Sequence, residues 1–413
     1  MENELTDCTR RGFFRLGLGL AASAPAVLAS GCESESGFYS PQGMARADAK
    51  VAIVACTSYT TSLVQDALGQ AFKLLGGIEG MVKDKTVTVK VNLTCDGPYE
   101  GMLGKPATET YITNGNTAIA LAALLFAAGA KMVRFVDSVP FLQPLDQVLT
   151  IAGWDVPTLL AQGNVVLENT RNLGSGSQYY DLDVEGTGYL FSYFRLNHCY
   201  HDTDIFISLA KMKQHLTAGV TLSMKCVYGS TPNSLYGTQA PSENAIGYRG
   251  PLHGSGTADW DGINPPGAIT STPMVDAGAR IPRIVADINA ARRVHIAIID
   301  GITSISGGEG PWAPNAALTA PGVLIAGLNP VSTDAVGISV MGYSNPLAVR
   351  GTAPFTTCDN MVLLASQNNV GIGDLSQIEV LGLPIEKVVT HYPQALLRPM
   401  RSMCCMRQPI QES

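Results

Sequence analysis

Residues 86–137 decide the fold: they open with Thr86-Val87-Thr88-Val89-Lys90-Val91-Asn92 and close with Lys131-Met132-Val133-Arg134-Phe135-Val136-Asp137. Both runs are short and rich in β-branched residues, as is typical of buried strands. An alanine-rich segment with helical character lies between them and ends at Gly129. A strand–helix–strand unit of this kind forms a right-handed crossover over a parallel sheet. The apolar run 51–55, followed by a helical period that stops at Gly76-Gly77, extends the alternation toward the N-terminus.

The same alternation continues toward the C-terminus, with two interruptions. Further strands are predicted at 164–167, 204–209, 294–300 and 323–326, and helices at 283–292 and 332–341. Residues 175–200 carry alternating aromatic side chains that predict an antiparallel insertion, and residues 229–280 form a long loop rich in Gly, Pro, Ser and Asn. We therefore predict an α/β domain over residues 48–390, followed by a tail over 391–413. Its sheet is mainly parallel and doubly wound, with the long loop over the carboxyl edge.

Composition sets the class of protein. The chain has 413 residues, of which 46% are hydrophobic and 15% are charged. This length fits two to three domains or one large α/β unit, and the hydrophobic fraction excludes disorder for most of the chain. The net charge of -7, without a basic run, excludes nucleic acid as the expected partner.

The first 47 residues have the features of an export leader and linker. Arg10-Arg11 precede a moderately apolar stretch over 16–28, which is too short for a permanent membrane span. The pattern resembles a twin-arginine (Tat) signal, which implies the Tat export machinery as a partner and transport in the folded state. The expected location is the periplasm or the outer face of the cytoplasmic membrane.

Two ends of this leader fit the sequence. Leu28-Ala29-Ser30-Gly31-Cys32 looks like a lipoprotein signal, in which Cys32 would be acylated and would anchor the protein to the membrane. Alternatively, Ala45-Arg46-Ala47 is a small-residue cleavage site, which would release a protein without an anchor.

The nine cysteines do not form a disulfide framework or a metal-binding motif. Because no C-x-x-C occurs, the spacings of iron–sulfur and structural zinc sites are absent from the sequence. The adjacent Cys404-Cys405, flanked by Met403 and Met406, are either soft-metal ligands or part of a tail without function.

Chemistry-bearing residues gather where the predicted strands end. In open α/β sheets, ligands bind beyond the carboxyl ends of the strands, so residues placed there are expected to share a crevice. The strand ends carry polar groups at Lys90, Asn92, Asp137, Ser138, Lys211, Lys213, His215 and Asp300.

Residues 204–229 are the densest of these segments. A buried strand is followed by Lys211, Lys213 and His215, then by an apolar, helix-like stretch that ends in Lys225. Clustered cations suit an anionic ligand, either a carboxylate or a phosphate. Neighbouring cations lower the pKa of an imidazole, which favours a proton acceptor or a metal ligand. The alternative is that the lysines are solvated. Downstream, Glu309 lies in a glycine-rich loop whose backbone can approach a ligand.

The mature chain resembles the domain-of-unknown-function family 362. The matching pieces run in order from Lys90-Val91-Asn92 to residues 371–375, and cover about residues 50 to 385. They include Lys211-Met212-Lys213-Gln214-His215, Ile299-Asp300-Gly301-Ile302, Glu309-Gly310-Pro311 and Asn329-Pro330-Val331-Ser332-Thr333-Asp334-Ala335, so Asp334 joins the expected binding residues. Some relatives carry an iron–sulfur module, whose cysteine spacings this sequence lacks.

A more distant resemblance suggests a mechanism. The spacing of His215 and Lys225 after a strand is similar to that in nickel-pincer lactate racemases. The resemblance implies a catalytic base at His215 and a cofactor-anchoring lysine at Lys225, with Lys213 beside them. His253 is the candidate for a second catalytic histidine, and His215 and His253 are the candidate metal ligands. It implies a metal or organometallic cofactor and proton or hydride transfer beside a carboxylate.

A second candidate metal site is Asn197-His198-Cys199-Tyr200-His201-Asp202. On a strand, however, two histidines three residues apart would point to opposite faces.

Two functions fit these observations. The first is an exported, cofactor- or metal-dependent enzyme that acts on a small carboxylate. The second is a non-catalytic envelope protein that binds an anionic ligand or a metal. No phosphate-binding loop, nucleophile elbow or zinc-protease motif occurs in the sequence.

Overall fold

A computed structural model describes residues 49–95, 98–171, 179–244, 248–254, 260, 263–269 and 276–392. Ten of its strands form one central sheet, and two others, at Tyr179–Asp183 and Tyr193–Asn197, form a separate two-stranded sheet. The predicted leader, Cys32, the Cys404-Cys405 pair and the tail from residue 393 lie outside the described residues. The strands are β1 (Lys50–Ala55), β2 (Thr86–Val91), β3 (Met132–Asp137), β4 (Val165–Asn169), β5 (Tyr179–Asp183), β6 (Tyr193–Asn197), β7 (Ile205–His215), β8 (Gly219–Thr221), β9 (Ile296–Ser306), β10 (Ala317–Thr319), β11 (Val323–Gly327) and β12 (Glu379–Gly382).

Helices cover both faces of this sheet. They are α1 (Thr61–Leu74), α2 (Glu79–Val82), α3 (Ala107–Thr110), α4 (Gly115–Ala127), α5 (Leu145–Ile151), α6 (Val156–Leu160), α7 (His198–His201), α8 (Ser223–Tyr228), α9 (Asn233–Tyr236), α10 (Gly250–His253), α11 (Ala277–Ala291), α12 (Pro330–Val340) and α13 (Met361–Gln367), with 3-10 turns at Leu375–Gln377 and Ile385–Lys387. Within the described ranges, none of the helices has the length and apolar character needed to cross a membrane.

The strand order is β12-β1-β11-β9-β7-β2-β3-β4, with β10 paired to β9 and β8 paired to β7. Strands β9, β7, β2, β3 and β4 run parallel, and β11 runs against both of its neighbours. The predicted class, a mainly parallel and doubly wound α/β sheet, is confirmed. The predicted crossover from β2 to β3 joins neighbouring strands, whereas β1 is separated from β2 by β11, β9 and β7.

Alternation along the strands divides the core between the two faces. Val51, Ile53 and Ile325 belong to one buried cluster, which packs against α11 and α12, whereas Val54 and Leu324 belong to the cluster that packs against α1 and α4. Because successive side chains of a strand point to opposite faces, a strand buried on both faces reads as a continuous apolar run.

Both predicted interruptions are present. Strands β5 and β6 form the antiparallel insertion, and Asp287 of α11 holds its end by accepting hydrogen bonds from the backbone N–H groups of Tyr189, Leu190 and Phe191 at 2.7, 2.7 and 3.0 Å. The long loop passes over the carboxyl edge, where the Arg249 guanidinium donates to the Ser138 carbonyl at 2.7 Å. It contains the short helices α9 and α10, and it ends earlier than predicted, because α11 begins at Ala277.

Candidate functional site

The site is built around the end of β7, which is longer than predicted. The predicted strand ended at residue 209, but β7 continues to His215, so Lys211, Lys213 and His215 lie within it. Residues two apart on a strand share a face, so Lys211 and Lys213 project on the same side of the sheet. The pairing of β7 with β9 shifts register between these two lysines, as happens at β-bulges beside functional sites.

The apolar stretch after His215 was predicted to be helix-like, and this prediction is wrong for its first half. Residues 219–221 form β8, which turns back to pair with β7, and helix α8 begins only at Ser223. Gly219 has a φ of +76°, a conformation that glycine adopts readily, and it allows the chain to reverse at this point. Helix α8 packs against β7, which brings Lys225 toward Lys213 and His215, and both lysine charges lower the pKa of His215.

Two of the four buried lysines at this edge form ion pairs. Lys90 Nζ lies 2.7 Å from Asp137 Oδ1, and Lys211 Nζ lies 3.2 Å from Asp300 Oδ2. Tyr59 donates its hydroxyl hydrogen to Asp300 Oδ1 at 2.9 Å and also contacts Lys211 Nζ. Because each charge has a partner, these pairs need no ligand and serve to hold neighbouring strands in register.

Lys213 and Lys225 are buried without such partners. Lys213 is 0% exposed and its ammonium donates to the carbonyls of Tyr111 at 2.5 Å and Glu309 at 3.0 Å. Lys225 is 9% exposed, and within the described parts of the chain its closest partner is the ring of Tyr228, 4.1 Å from Nζ to the centroid. No carboxylate of a described residue lies within ion-pair distance of either ammonium.

Burial of an unpaired ammonium lowers its pKa, since the charged form loses its hydration. The pKa of Lys213 falls to about 7 through burial, with the attraction of Glu309 opposing the shift. The pKa of Lys225 falls to about 7 for the same reason. An anion bound between them would restore the charged form of both lysines.

His215 is neutral and is held by the chain that follows it. Burial, then the charges of Lys225 and Lys213, keep its pKa well below the usual range. Its Nδ1 accepts a hydrogen bond from the Thr217 backbone N–H at 3.1 Å. Because a neutral imidazole has one donor and one acceptor, the hydrogen of this ring is on Nε2.

His253 has the opposite arrangement. Its Nδ1 lies 2.9 Å from the Arg249 carbonyl and 3.0 Å from the Tyr228 hydroxyl. Because the carbonyl can only accept, Nδ1 carries the hydrogen, the Tyr228 oxygen can share it, and Nε2 keeps a lone pair. Burial and the charge of Lys225 lower its pKa to about 3. Arg280 fixes the helix of His253 by donating from Nη1 to the Pro251 carbonyl at 2.8 Å. The two neutral histidines therefore offer one donor and one acceptor.

Glu309 closes the site from the glycine loop. One of its oxygens accepts the Leu216 backbone N–H at 2.8 Å and the other accepts Trp312 Nε1 at 2.9 Å. Its Oε2 also lies 3.8 Å from His215 Nδ1. Its carboxylate is thus oriented by the protein and supplies negative charge near both unpaired lysines.

The other predicted site residues lie at the same edge of the sheet, where they make hydrogen bonds that hold the backbone and neighbouring side chains in place. Asp334 accepts the backbone N–H groups of Ser223 and Met224 at 2.8 and 2.9 Å, and so holds the first turn of the helix that carries Lys225. Burial raises the pKa of Asp334 to about 8, against these two hydrogen bonds. The Asn92 backbone N–H donates to Thr113 Oγ1 at 2.8 Å, and Ser138 Oγ donates to Asn233 Oδ1 at 2.9 Å.

The histidine pair at 198 and 201 lies on a short helix, α7, and not on a strand. His198 Nε2 lies 3.0 Å from Glu168 Oε1 of β4, and Cys199 Sγ lies 3.7 Å from the same nitrogen. His201 instead contacts Asp202 and stacks on Tyr180. Glu168, His198 and Cys199 are the one group of three metal-ligating residues in the described part of the chain, and neither His215 nor His253 belongs to it.

Sequence reasoning missed the aromatic partners of the lysines and the acid beside His198. Tyr59, Tyr111 and Tyr228 contact Lys211, Lys213 and Lys225, respectively. Tyr59 and Tyr111 are distant in sequence from their lysines, and no local pattern marks them. Glu168 follows the predicted strand 164–167 directly, so inspection of that strand end would have found it.

Comparisons with known proteins identify the family of this chain. A protein from Thermotoga maritima, whose crystal structure was determined by the Northeast Structural Genomics Consortium, is 11% identical, with a TM-score of 0.32. The match covers 63% of this chain, which spans about half (54%) of that protein. No curated protein matches. The family model described as Domain of unknown function (DUF362) matches residues 87–339, a span that contains every residue of the site from Lys90 to Asp334. The chain therefore belongs to the DUF362 family.

Proposed function

We propose that the chain is an exported enzyme that binds a small carboxylate substrate against Lys213 and Lys225 and transfers a proton on it. The observation that carries this proposal is the burial of two lysines without a carboxylate partner among the described residues, beside two neutral histidines. Lys90 and Lys211, which are buried at the same edge of the sheet, each have a carboxylate counter-ion. The remaining two thus favour a ligand as the counter-ion.

His253 supplies the base, and His215 supplies a hydrogen-bond donor. His253 Nε2 would accept the proton from the carbon next to the substrate carboxylate, and the electron pair of the C–H bond would move into the carboxylate. The ammonium groups of Lys213 and Lys225 would stabilise the resulting charge. The protonated His253 would then return the proton to that carbon, while His215 Nε2–H would donate a hydrogen bond to the charged oxygens. A carboxylate bound at Lys225 would also offset part of the charge that depresses the pKa of His253.

A cofactor would extend this chemistry from proton to hydride transfer, by supplying a hydride acceptor. Lys213 and Lys225 fit an anionic group of such a cofactor, because both lack a carboxylate partner among the described residues. His253 Nε2 would then accept the hydroxyl proton of a 2-hydroxy acid and return it in the reverse direction.

One observation favours a second function, the binding of an anion without reaction. Both oxygens of Glu309 and the Nδ1 atom of His215 already have hydrogen-bond partners within the chain. A site whose polar groups are satisfied in this way can also serve as a rigid receptor.

A two-stage experiment separates these functions. Calorimetric titration at neutral pH with 2-hydroxy acids such as lactate, and with inorganic phosphate, measures anion binding. Lys225→Met is expected to lower affinity at least tenfold, and the exposed Lys131 provides the matched control, Lys131→Met. Unchanged affinity in Lys225→Met would show that the anion binds elsewhere.

The second stage measures reaction. Deuterium incorporation at C2 of the bound acid, followed by NMR in heavy water, reports proton transfer. His253→Gln is expected to abolish incorporation while affinity changes little, because the glutamine offers no base. Binding without incorporation in the unaltered protein would favour the receptor function, and the absence of both would contradict both functions.

We further propose that the leader directs twin-arginine export. The supporting residues are Arg10-Arg11 and the apolar stretch that follows them. Arg10→Lys/Arg11→Lys is expected to retain the precursor in the cytoplasm, as measured by cell fractionation. Lipid labelling of the protein and of Cys32→Ala distinguishes acylation from cleavage at Ala47.

A further inference from the structure

A second cluster of chemically active side chains lies on other elements than the lysine site. Glu168 belongs to β4, the strand at one edge of the sheet, and His198 and Cys199 belong to α7, which directly follows the insertion strand β6. Glu168 is 7% exposed and Cys199 is 0% exposed, whereas the His198 side chain retains 13% exposure. A carboxylate, an imidazole and a thiol therefore meet where all three are largely buried and the imidazole is the most exposed.

The three ligand atoms of this cluster lie close enough together to bind one tetrahedral metal ion. Zn²⁺ bonds nitrogen and oxygen at about 2.0–2.1 Å and sulfur at about 2.3 Å. Tetrahedral angles then place nitrogen and oxygen ligands about 3.4 Å apart, and sulfur and nitrogen ligands about 3.6 Å apart. The separations here are 3.0 Å from His198 Nε2 to Glu168 Oε1 and 3.7 Å from His198 Nε2 to Cys199 Sγ. All three ligand atoms lie within 4.8 Å of one another.

The surroundings of the cluster orient its members. His198 Nδ1 lies 3.4 Å from Asp202 Oδ2, an arrangement in which a carboxylate fixes the ring so that Nε2 faces the metal. Asn197 Oδ1 accepts the Cys199 backbone N–H at 2.9 Å, and Thr88 Oγ1 donates to the Cys199 carbonyl at 3.3 Å. The backbone that carries the thiol is therefore held in place by a neighbouring strand.

A catalytic thiol is the main alternative for Cys199, and the surroundings argue against it. Cys199 is 0% exposed and lies beside the Glu168 carboxylate. Reactive cysteines instead lie in partly exposed, electropositive surroundings that lower the thiol pKa.

We propose that Glu168, His198 and Cys199 bind a divalent ion of the zinc class, with the fourth coordination position open to water. The mixed oxygen, nitrogen and sulfur ligand set suits an ion of intermediate softness. Such an ion would link the edge strand β4 to the end of the insertion, two elements that approach each other at this point. The site is separate in its residues from the anion site, so either proposal can fail while the other stands.

The test uses cobalt as a spectroscopic probe for zinc in the full chain. The Cys404→Ser/Cys405→Ser background removes the adjacent thiols of the tail as a source of signal. After chelation and reduction, titration with Co²⁺ is expected to give a tetrahedral ligand-field spectrum with a thiolate charge-transfer band at about one equivalent, and Zn²⁺ is expected to displace it. Cys199→Ala is expected to remove the charge-transfer band, whereas Cys358→Ala, a control for the loss of a buried free thiol, is expected to retain it.

A substitution outside the three ligands tests the site without removing a buried side chain. Asp202 has a side chain that is 42% exposed, so Asp202→Asn is expected to fold and to weaken Co²⁺ binding about 10- to 100-fold. The exposed His391 supplies the control His391→Gln, with unchanged affinity expected. The absence of a thiolate band in the Cys404→Ser/Cys405→Ser protein, or a band that persists unchanged in Cys199→Ala, would overturn the proposal.

Discussion

Lys225 Nζ lies 4.1 Å from the centre of the Tyr228 ring, one helical turn further along α8. A ring face attracts a cation but does not replace the hydration that a buried ammonium loses. Lys211, in contrast, lies 3.2 Å from Asp300. The same edge of the sheet thus holds buried lysines in two electrostatic states, and the two should respond differently to substitution.

Removal of the charge of Lys225 is expected to leave the fold intact. Lys225→Met keeps the volume of the side chain and removes a charge that the ligand-free protein stabilises poorly, so the free energy of unfolding should stay the same or rise. Urea denaturation measures this. A loss above about 2 kcal/mol would show that the ammonium is stabilised within the chain.

Removal of Lys211 from its ion pair with Asp300 is expected to destabilise the protein. Lys211→Met leaves the 0% exposed Asp300 carboxylate buried without its cation, at a cost of about 3–5 kcal/mol. Lys211→Met/Asp300→Asn should recover part of that loss, because the orphaned charge is gone. If the double variant is no more stable than the single one, the pair does not act as a unit.

The unpaired lysine also predicts a pH dependence. The folded pKa of Lys225 is about 7, and the unfolded value is near 10.4, so the unfolded state binds more protons between these limits. The contribution of Lys225 to stability therefore rises with pH from about 7 to about 10, by at most about 1.4 kcal/mol per pH unit. Because Asp334 has a folded pKa of about 8 and acts in the opposite direction below that pH, the quantity to follow is the difference between the unaltered protein and Lys225→Met. A difference that stays constant between pH 7 and 9 would contradict the lowered pKa.

Asp334 is expected to act on anion binding as a positioning residue. It touches the first turn of α8 through the Ser223 and Met224 N–H groups, so Asp334→Ala should displace Lys225 and weaken anion affinity. Calorimetry on Asp334→Ala and Asp334→Asn tests this, since the amide of Asn keeps one acceptor and should restore part of the affinity. Equal affinity in both variants and the unaltered protein would remove Asp334 from the site.

Asp287 is expected to hold the insertion in place. Asp287→Ala leaves three backbone N–H groups without their acceptor, at about 1–3 kcal/mol for each group that stays buried. Limited proteolysis should therefore cut near residues 185–192 faster in Asp287→Ala than in the unaltered protein. The exposed and unrelated Glu386→Ala serves as a control, and equal cutting rates would place the anchor elsewhere.

Local patterns predicted the longer strands of the sheet and the class of fold, but not the short strands β8, β10 and β12. A strand that is buried on both faces has a composition that few other structures share. Local patterns also placed Lys90, Asp137, Lys213 and His215 at one edge. They failed where distant residues decide the outcome. Strand β7 was predicted to end before Lys211, since a charge normally marks the end of a buried run, but Asp300 and Tyr59 supply its partners.

Two smaller errors have the same origin. The apolar period before Gly76-Gly77 would place Leu63 on the buried face of its helix, but Leu63 is 52% exposed, while Val64 and Phe72 fill that face. The pairing of Glu168 with His198 joins two segments that are separated by the whole insertion, so neither segment contains the signal alone. Sequence reasoning found two of the three residues, His198 and Cys199, and the fold brings Glu168 to them.

The place of β1 in the sheet has a consequence for biosynthesis. This strand pairs with β11 and β12, so Lys50 meets Glu379 and Val51 meets Gly327. The ribosome makes β1 first and its partners last, and the loop between them must close before the pairing contributes free energy. Nearly the whole chain therefore has to be synthesised before β1 can pair with its neighbours in the sheet. Until then the edge of this mainly apolar strand is unpaired and open to aggregation.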